Sequence, residues 1–98
     1  MSEDRQKPYT DKEEIQHGTG LRYFVRTFDE HINGDELIWH RDKKSRRITV
    51  LQGMGWQLQK ENKLPEYIEM GKSYFIMKME YHRLIKGSNN LVLRIEEI

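Results

Sequence analysis

Ninety-eight residues suffice for one hydrophobic core and hardly for two, so a single small domain is expected. Seventeen basic against 16 acidic side chains leave a formal charge of +1, which gives no field of one sign to argue for nucleic acid or an anionic membrane as partner. With no cysteine, disulfides and thiolate metal sites are excluded, leaving His, Asp, Glu and neutral oxygen donors for any ion.

Residues 1–20 are polar but for Tyr9 and Ile15 behind Met1, and they carry the breakers Pro8, Gly18 and Gly20. That composition predicts an arm lying outside a folded domain of residues 21–98. The opening MSEDRQKPYTDKEE lacks the apolar stretch of a signal peptide, and no run approaches the roughly 18 residues of a membrane span, so a cytoplasmic protein is expected.

From Leu21 the character changes. Residues 21–28, LRYFVRTF, read as a strand with Leu21, Tyr23 and Val25 on one face and Arg22, Phe24 and Arg26 on the other. Asn33-Gly34 is a turn signal leading into residues 36–40 as the next strand, followed by a basic loop at 42–47. A strand at 47–51 is closed by Gly53-Met54-Gly55, where glycine permits positive φ. Short alternating runs at 56–59 and 67–70 flank the breaker Leu64-Pro65, and Gly71 turns the chain into strands at 73–79 and 81–85. After a loop at 87–90, a last strand at 91–96 puts Leu91, Leu93 and Ile95 on one side. Seven or eight short strands without helical periodicity indicate an all-β antiparallel sandwich or barrel.

The densest group of possible metal ligands lies in Trp39-His40-Arg41-Asp42. His40 and Asp42 are two apart and on a strand would share a face, and His82, in Tyr81-His82-Arg83, joins them if its strand lies beside theirs. Two histidines and one carboxylate on an open face form the usual non-haem iron arrangement. Gln57 or Gln59 offers a neutral oxygen as fourth ligand. Arg46 and Arg47 are candidates for an anionic substrate, and Trp39, Trp56, Phe75 and Tyr81 for an apolar pocket or for core packing. His17 and His31, in polar surroundings, read as surface residues, and Met70, Met77 and Met79 as core filling.

Over about residues 21–96 the chain resembles the small single-domain cupins, jelly-roll barrels of the double-stranded β-helix type with a metal pocket at the wider end. Gly34, His40, Asp42, Arg46 and Gly53 fall on the positions of the first family motif, and Gly71, Met77, Met79, His82 and Lys86 on those of the second. The family metal takes three imidazoles and one carboxylate; here Asp42 replaces the second histidine and Arg46 the glutamate. Arginine keeps its proton and offers no acceptor, so Arg46 is not a ligand. The resemblance therefore implies one of two outcomes. Either His40, Asp42 and His82 hold a divalent ion (Fe, Mn, Zn or Ni), with Arg46 or Arg47 pairing with Asp42 or a substrate, or the guanidinium spoils the site and the barrel holds a small acid without metal.

The same His-x-Asp…His order, with Arg94 a dozen residues on, is shared with the 2-oxoglutarate oxygenases, which adds Arg94 to the substrate candidates. The WHRD run, Gly55-Trp56-x-x-Gln59 and YHRLIKG also look like small cupins encoded by marine tailed phages, which implies the host cytoplasm. Three functions stand side by side: a metal-binding cupin, catalytic or not, for a small carboxylate or sugar; a metal-free binding module; and a structural, virion-associated protein. A homodimer is expected, since so small a domain gains core by pairing strand edges or faces.

Overall fold

A computed structural model describes residues 7–15 and 22–98. Alternation at period two builds it: β1 (Tyr9–Ile15), β2 (Arg22–Phe28), β3 (Arg46–Gln52), β4 (Gln57–Lys60), β5 (Glu66–Tyr67), β6 (Ser73–Ile76), β7 (His82–Ile85) and β8 (Leu91–Glu97). Five of these form one sheet in the order β1-β2-β8-β3-β6, and three form a second in the order β5-β4-β7, with every pairing antiparallel. No ladder joins the two sheets among the described residues, so the barrel is not formally closed.

The core lies between the sheets. Ile48 and Val50 of β3 stand opposite Ile95 and Leu93 of β8, while Leu58, Trp56 and Ile68 cover them from the second sheet. All seven are buried, and Trp56 reaches its burial with a satisfied indole, Nε1 donating to the Asn89 carbonyl at 2.7 Å. A bulge between Val50 and Gln52 turns Leu51 out to solvent. Gly87 lies so close to the Trp56 ring that an added Cβ would stand 2.4 Å from Cδ1, so this crossing of the sheets requires glycine.

Three sequence expectations are corrected. Tyr9–Ile15, expected in an arm outside the barrel, is the edge strand of the larger sheet, pairing with β2 from Tyr9↔Phe28 onward. Its charged side chains suit an exposed edge, and Asp11 holds Arg26 through two hydrogen bonds of 2.8 and 3.0 Å. Residues 36–40 form no strand: Gly34–Glu36 is a single 3₁₀ turn, capped by the Asn33 side chain accepting from the Asp35 N–H at 2.9 Å, and only His40 makes an isolated bridge. The expected strands at 67–70 and 73–79 shorten to Glu66–Tyr67 and Ser73–Ile76, because Gly71 (φ +85) and Met79 (φ +65) turn the backbone. Leu21 and His17 lie outside the described residues.

Candidate metal centre

His40 and His82 meet across the isolated bridge. The His40 N–H donates to the His82 carbonyl at 2.9 Å, and the His82 N–H to the His40 carbonyl at 3.0 Å. This reciprocal pair puts both side chains on one face, with ring centroids 4.3 Å apart. Asp42 lies past the bridge, where strand parity no longer places it. Its carbonyl accepts the Met79 N–H at 2.7 Å, which anchors the backbone while the carboxylate turns to the imidazoles. The result brings together one nitrogen or oxygen from each of His40, Asp42 and His82, all within 4.8 Å of one another.

The ring tautomers follow from the partners. His40 Nδ1 stands 3.0 Å from the Ile38 carbonyl and His82 Nδ1 2.6 Å from the Glu80 carbonyl. A carbonyl only accepts, so each Nδ1 carries the hydrogen and, in the neutral ring, each Nε2 presents a lone pair. These lone pairs face Asp42: His40 Nε2 is 3.5 Å from Oδ1 and His82 Nε2 is 3.2 Å from Oδ2. Oδ2 is buried and accepts no hydrogen bond despite that proximity. With both rings neutral, three electron-pair donors converge on one region. Imidazoles that donate Nδ1–H to backbone carbonyls while aiming Nε2 at a common point are arranged as metal ligands are. Each imidazole stands from one Asp42 oxygen, 3.5 Å to Oδ1 and 3.2 Å to Oδ2, at about the 3.4 Å that separates two donors each about 2.1 Å from a tetrahedral centre. The residues present fit a divalent cation.

Arg46 stands on the same side. Its Nη1 is 3.4 Å from Asp42 Oδ1 and its Nη2 donates to Glu97 Oε2 at 3.1 Å, while its buried Nε makes no hydrogen bond. The guanidinium therefore shares Oδ1 with His40 and leaves Oδ2 to His82. Burial alone would raise the Asp42 carboxyl pKa, but in the metal-free chain a hydrogen bond from a protonated His82 and the charges of Arg46 and of protonated imidazoles outweigh it, and the net direction is down from the ordinary 3.8. His82 is buried and Asp42 nearly so, whereas the His40 side chain is 43% exposed, so the set opens to solvent on that side.

The three residues line a cavity of about 750 Å³ between the sheets. Arg46, His40, Asp42 and His82 lie on its lining with the charged residues Lys7, Arg26, Asp35 and Glu36, and Ile48, Leu58, Leu84, Leu93 and Ile95 supply an apolar wall. Tyr9 and Pro8 of the N-terminal segment, together with Leu37 and Ile38, also line it. Pro8 and Tyr9 were not legible as site residues, because only β1's recruitment to the sheet brings them there.

The other candidates are placed elsewhere. Gln57 and Gln59 do not line this cavity: Leu58 points inward, so its neighbours on β4 point out, and Gln59 is occupied by the Lys63 carbonyl and Arg83 Nε at 3.1 and 2.9 Å. Arg47 and Arg94 fall on the outer parity of β3 and β8, where both approach Glu96, at 3.9 and 3.7 Å. Trp56 is core. Trp39 and Tyr81 stack on each other on the outside, 5.2 Å between centroids, since neighbours of inward-facing histidines must face outward. Met70, Met77, Met79 and Phe75 are exposed and do not fill the core. His31 is exposed, as expected.

No family model and no curated protein matches the chain. Solved structures do. DMSP lyase DddQ from Ruegeria pomeroyi DSS-3 superposes with a TM-score of 0.75 at 13% identity, covering 99% of this chain and 50% of that one. HppE in its Fe(II) form gives 0.70 at 18% identity over 93% of this chain and 51% of that one. A conserved protein of unknown function from Streptococcus pyogenes gives 0.68 at 15% identity over 96% and 76%. The chain spans about half the length of the lyase and of HppE. At these identities the likeness establishes the fold alone, an all-β, antiparallel, cupin-like jelly roll.

Proposed function

We propose that His40, Asp42 and His82 hold a divalent metal ion and that the adjoining cavity binds a small carboxylate. The observation that carries this is the pair of Nδ1–H donations to the Ile38 and Glu80 carbonyls, which aims both Nε2 lone pairs at a carboxylate with a buried, unpartnered oxygen. Iron(II) and cobalt(II) are the first ions to test, because HppE has been solved with each. A bound ion would supply Lewis acidity toward a ligand oxygen.

The chain's own residues do the rest. Arg46 offers a cation beside the cluster, and the apolar wall keeps water from the ligand body. The Arg46 cation beside an apolar wall suits an acid with an apolar body. A second reading, a metal-free pocket for a small acid, draws on the Arg46 contact to Asp42.

Elemental analysis of protein purified without a histidine tag, followed by metal titration of the chelator-stripped protein, separates the two. Stoichiometric first-row metal supports the first reading. Failure to bind Mn, Fe, Co, Ni or Zn after stripping would reject it in favour of the second. The homodimer is proposed on a separate ground, the exposure of Leu64, Tyr67, Met70, Phe75, Met77 and Met79, and a monomer at high concentration in sedimentation equilibrium would refute it. Among the described residues no helix is long and apolar enough to cross a membrane.

A further inference from the structure

The two histidines of the centre sit in matching tripeptides, Trp39-His40-Arg41 and Tyr81-His82-Arg83, which run antiparallel and meet at the His40↔His82 bridge. Antiparallel register about that pair sets residue 39 opposite 83 and residue 41 opposite 81. With both imidazoles turned inward, all four flanking side chains stand on the outer face. There they form a chain of contacts. The Arg83 guanidinium lies 4.9 Å from the Trp39 ring centroid, the Arg41 guanidinium 4.5 Å from that of Tyr81, and the two aromatic rings stack diagonally at 5.2 Å. Arg83 is tied in turn to the second sheet, Nε donating to Gln59 Oε1 at 2.9 Å.

Besides the two backbone bonds of the bridge, the segment carrying His40 is held against the chain leading into β7 by the Met79 N–H donating to the Asp42 carbonyl. It belongs to no named strand, and its ladder with β7 consists of one isolated bridge. A slip of one residue would carry His40 out of the cavity and Trp39 in, because parity reverses at every step. The outer contacts penalise that slip, since Trp39 and Arg41 would leave their aromatic and guanidinium partners for the apolar interior.

We propose that Trp39, Arg41, Tyr81 and Arg83 are positioning residues, an external clasp that holds His40 opposite His82 and so presets the separation of their Nε2 atoms. The inference rests on the reading of His40, Asp42 and His82 as a metal site for its consequence, but the register it describes is measurable without metal.

The test compares Trp39→Ala, Tyr81→Ala and Arg83→Gln with Trp39→Phe, each in the full chain. Two readouts are taken: Co(II) affinity and visible spectrum, and amide hydrogen exchange at His40 and His82 in metal-free protein. Trp39→Ala and Tyr81→Ala should weaken Co(II) binding by roughly 10- to 100-fold, the usual effect of groups that orient ligands, and alter the ligand-field bands. They should also accelerate exchange at His40 and His82 more than in β3 and β8. Trp39→Phe, which keeps a ring for Arg83, should restore most of both, and Arg83→Gln should fall between. Unchanged Co(II) affinity and unchanged exchange in Trp39→Ala would overturn the proposal, as would loss spread evenly over the whole fold without rescue by Phe. If the wild-type chain binds no Co(II), the metal reading fails, and the exchange at His40 and His82 alone decides the clasp.

Discussion

His82→Ala separates the cost to the fold from the cost to the metal. In the metal-free chain, the substitution empties a buried position, His82 being 3% exposed, and leaves the Glu80 carbonyl without its 2.6 Å donor. A lost hydrogen bond of this kind is worth about 1 kcal/mol, which in a domain this size lowers the melting temperature by about 4–8 °C. Metal adds a second quantity. At a free ion concentration of about 100 times Kd the wild type gains about 2.7 kcal/mol, or roughly 11–22 °C. If the variant binds about 100-fold more weakly, the same concentration gives about 0.4 kcal/mol and a rise of only about 2–3 °C. The assay is differential scanning calorimetry of each protein with and without Co(II), reading the metal-dependent increment within each. A full wild-type increment in His82→Ala would show that His82 is not a ligand, whatever happened to the baseline.

Asp42→Asn should alter stability in acid with a defined sign. The Asp42 carboxyl is lowered in the folded chain, so the stability it contributes is fully present above the ordinary carboxyl value of 3.8 and is lost as pH falls through the lowered one. The gap between wild type and Asp42→Asn in denaturant titrations should therefore shrink below about pH 4, and a gap constant down to acid would refute the assignment. Arg46→Met should keep or raise Co(II) affinity, since a neighbouring cation is removed, while weakening calorimetric binding of a small carboxylate; a fall in metal affinity would count against its role. Gln57→Ala should leave Co(II) affinity unchanged, and a measurable loss would return Gln57 to the ligand set. Arg26→Ala removes both hydrogen bonds to Asp11 and a guanidinium 3.6 Å from the Tyr9 ring centroid, and should cost about 1 kcal/mol. Its amide exchange should quicken in β1 and not in β3 or β8, which a uniform change would contradict.

Period-two patterning was enough to read β3 and β8, because one face of each is buried and the other more exposed: Ile48 and Val50, and Leu91, Leu93 and Ile95, alternate with neighbours that are polar except for Leu51 and Val92. It failed at β1, where charges occupy both faces of an edge strand and nothing but Tyr9 announces a buried side. It misled at residues 36–40, where the Asn33 cap and the acidic pair Asp35 and Glu36 favour a 3₁₀ turn over extension. The convergence of His40, Asp42 and His82 was legible from spacing, yet by a reason only half right. Parity places His40 and His82, whereas Asp42 is brought in by the bond between its carbonyl and the Met79 N–H. The same parity, carried one residue either way, puts Trp39 and Tyr81 outside, so their expected place in the pocket conflicted with that of the histidines beside them.

Charge balance connects the metal to the ligand. The cavity lining carries three basic side chains, Lys7, Arg26 and Arg46, and three acidic ones, Asp35, Glu36 and Asp42, which sum to zero. A neutral cavity with an apolar wall gives an anion little net attraction, and Arg46 is already shared between Asp42 and Glu97. A divalent ion on His40, Asp42 and His82 would bring the lining to +2 and engage the carboxylate that Arg46 now faces. Carboxylate binding and metal binding are then two halves of one electrostatic arrangement. With an ion bound there, the arginine at the position where the cupin pattern has an acidic ligand would lower the negative charge around it and raise the demand for an anion from solution.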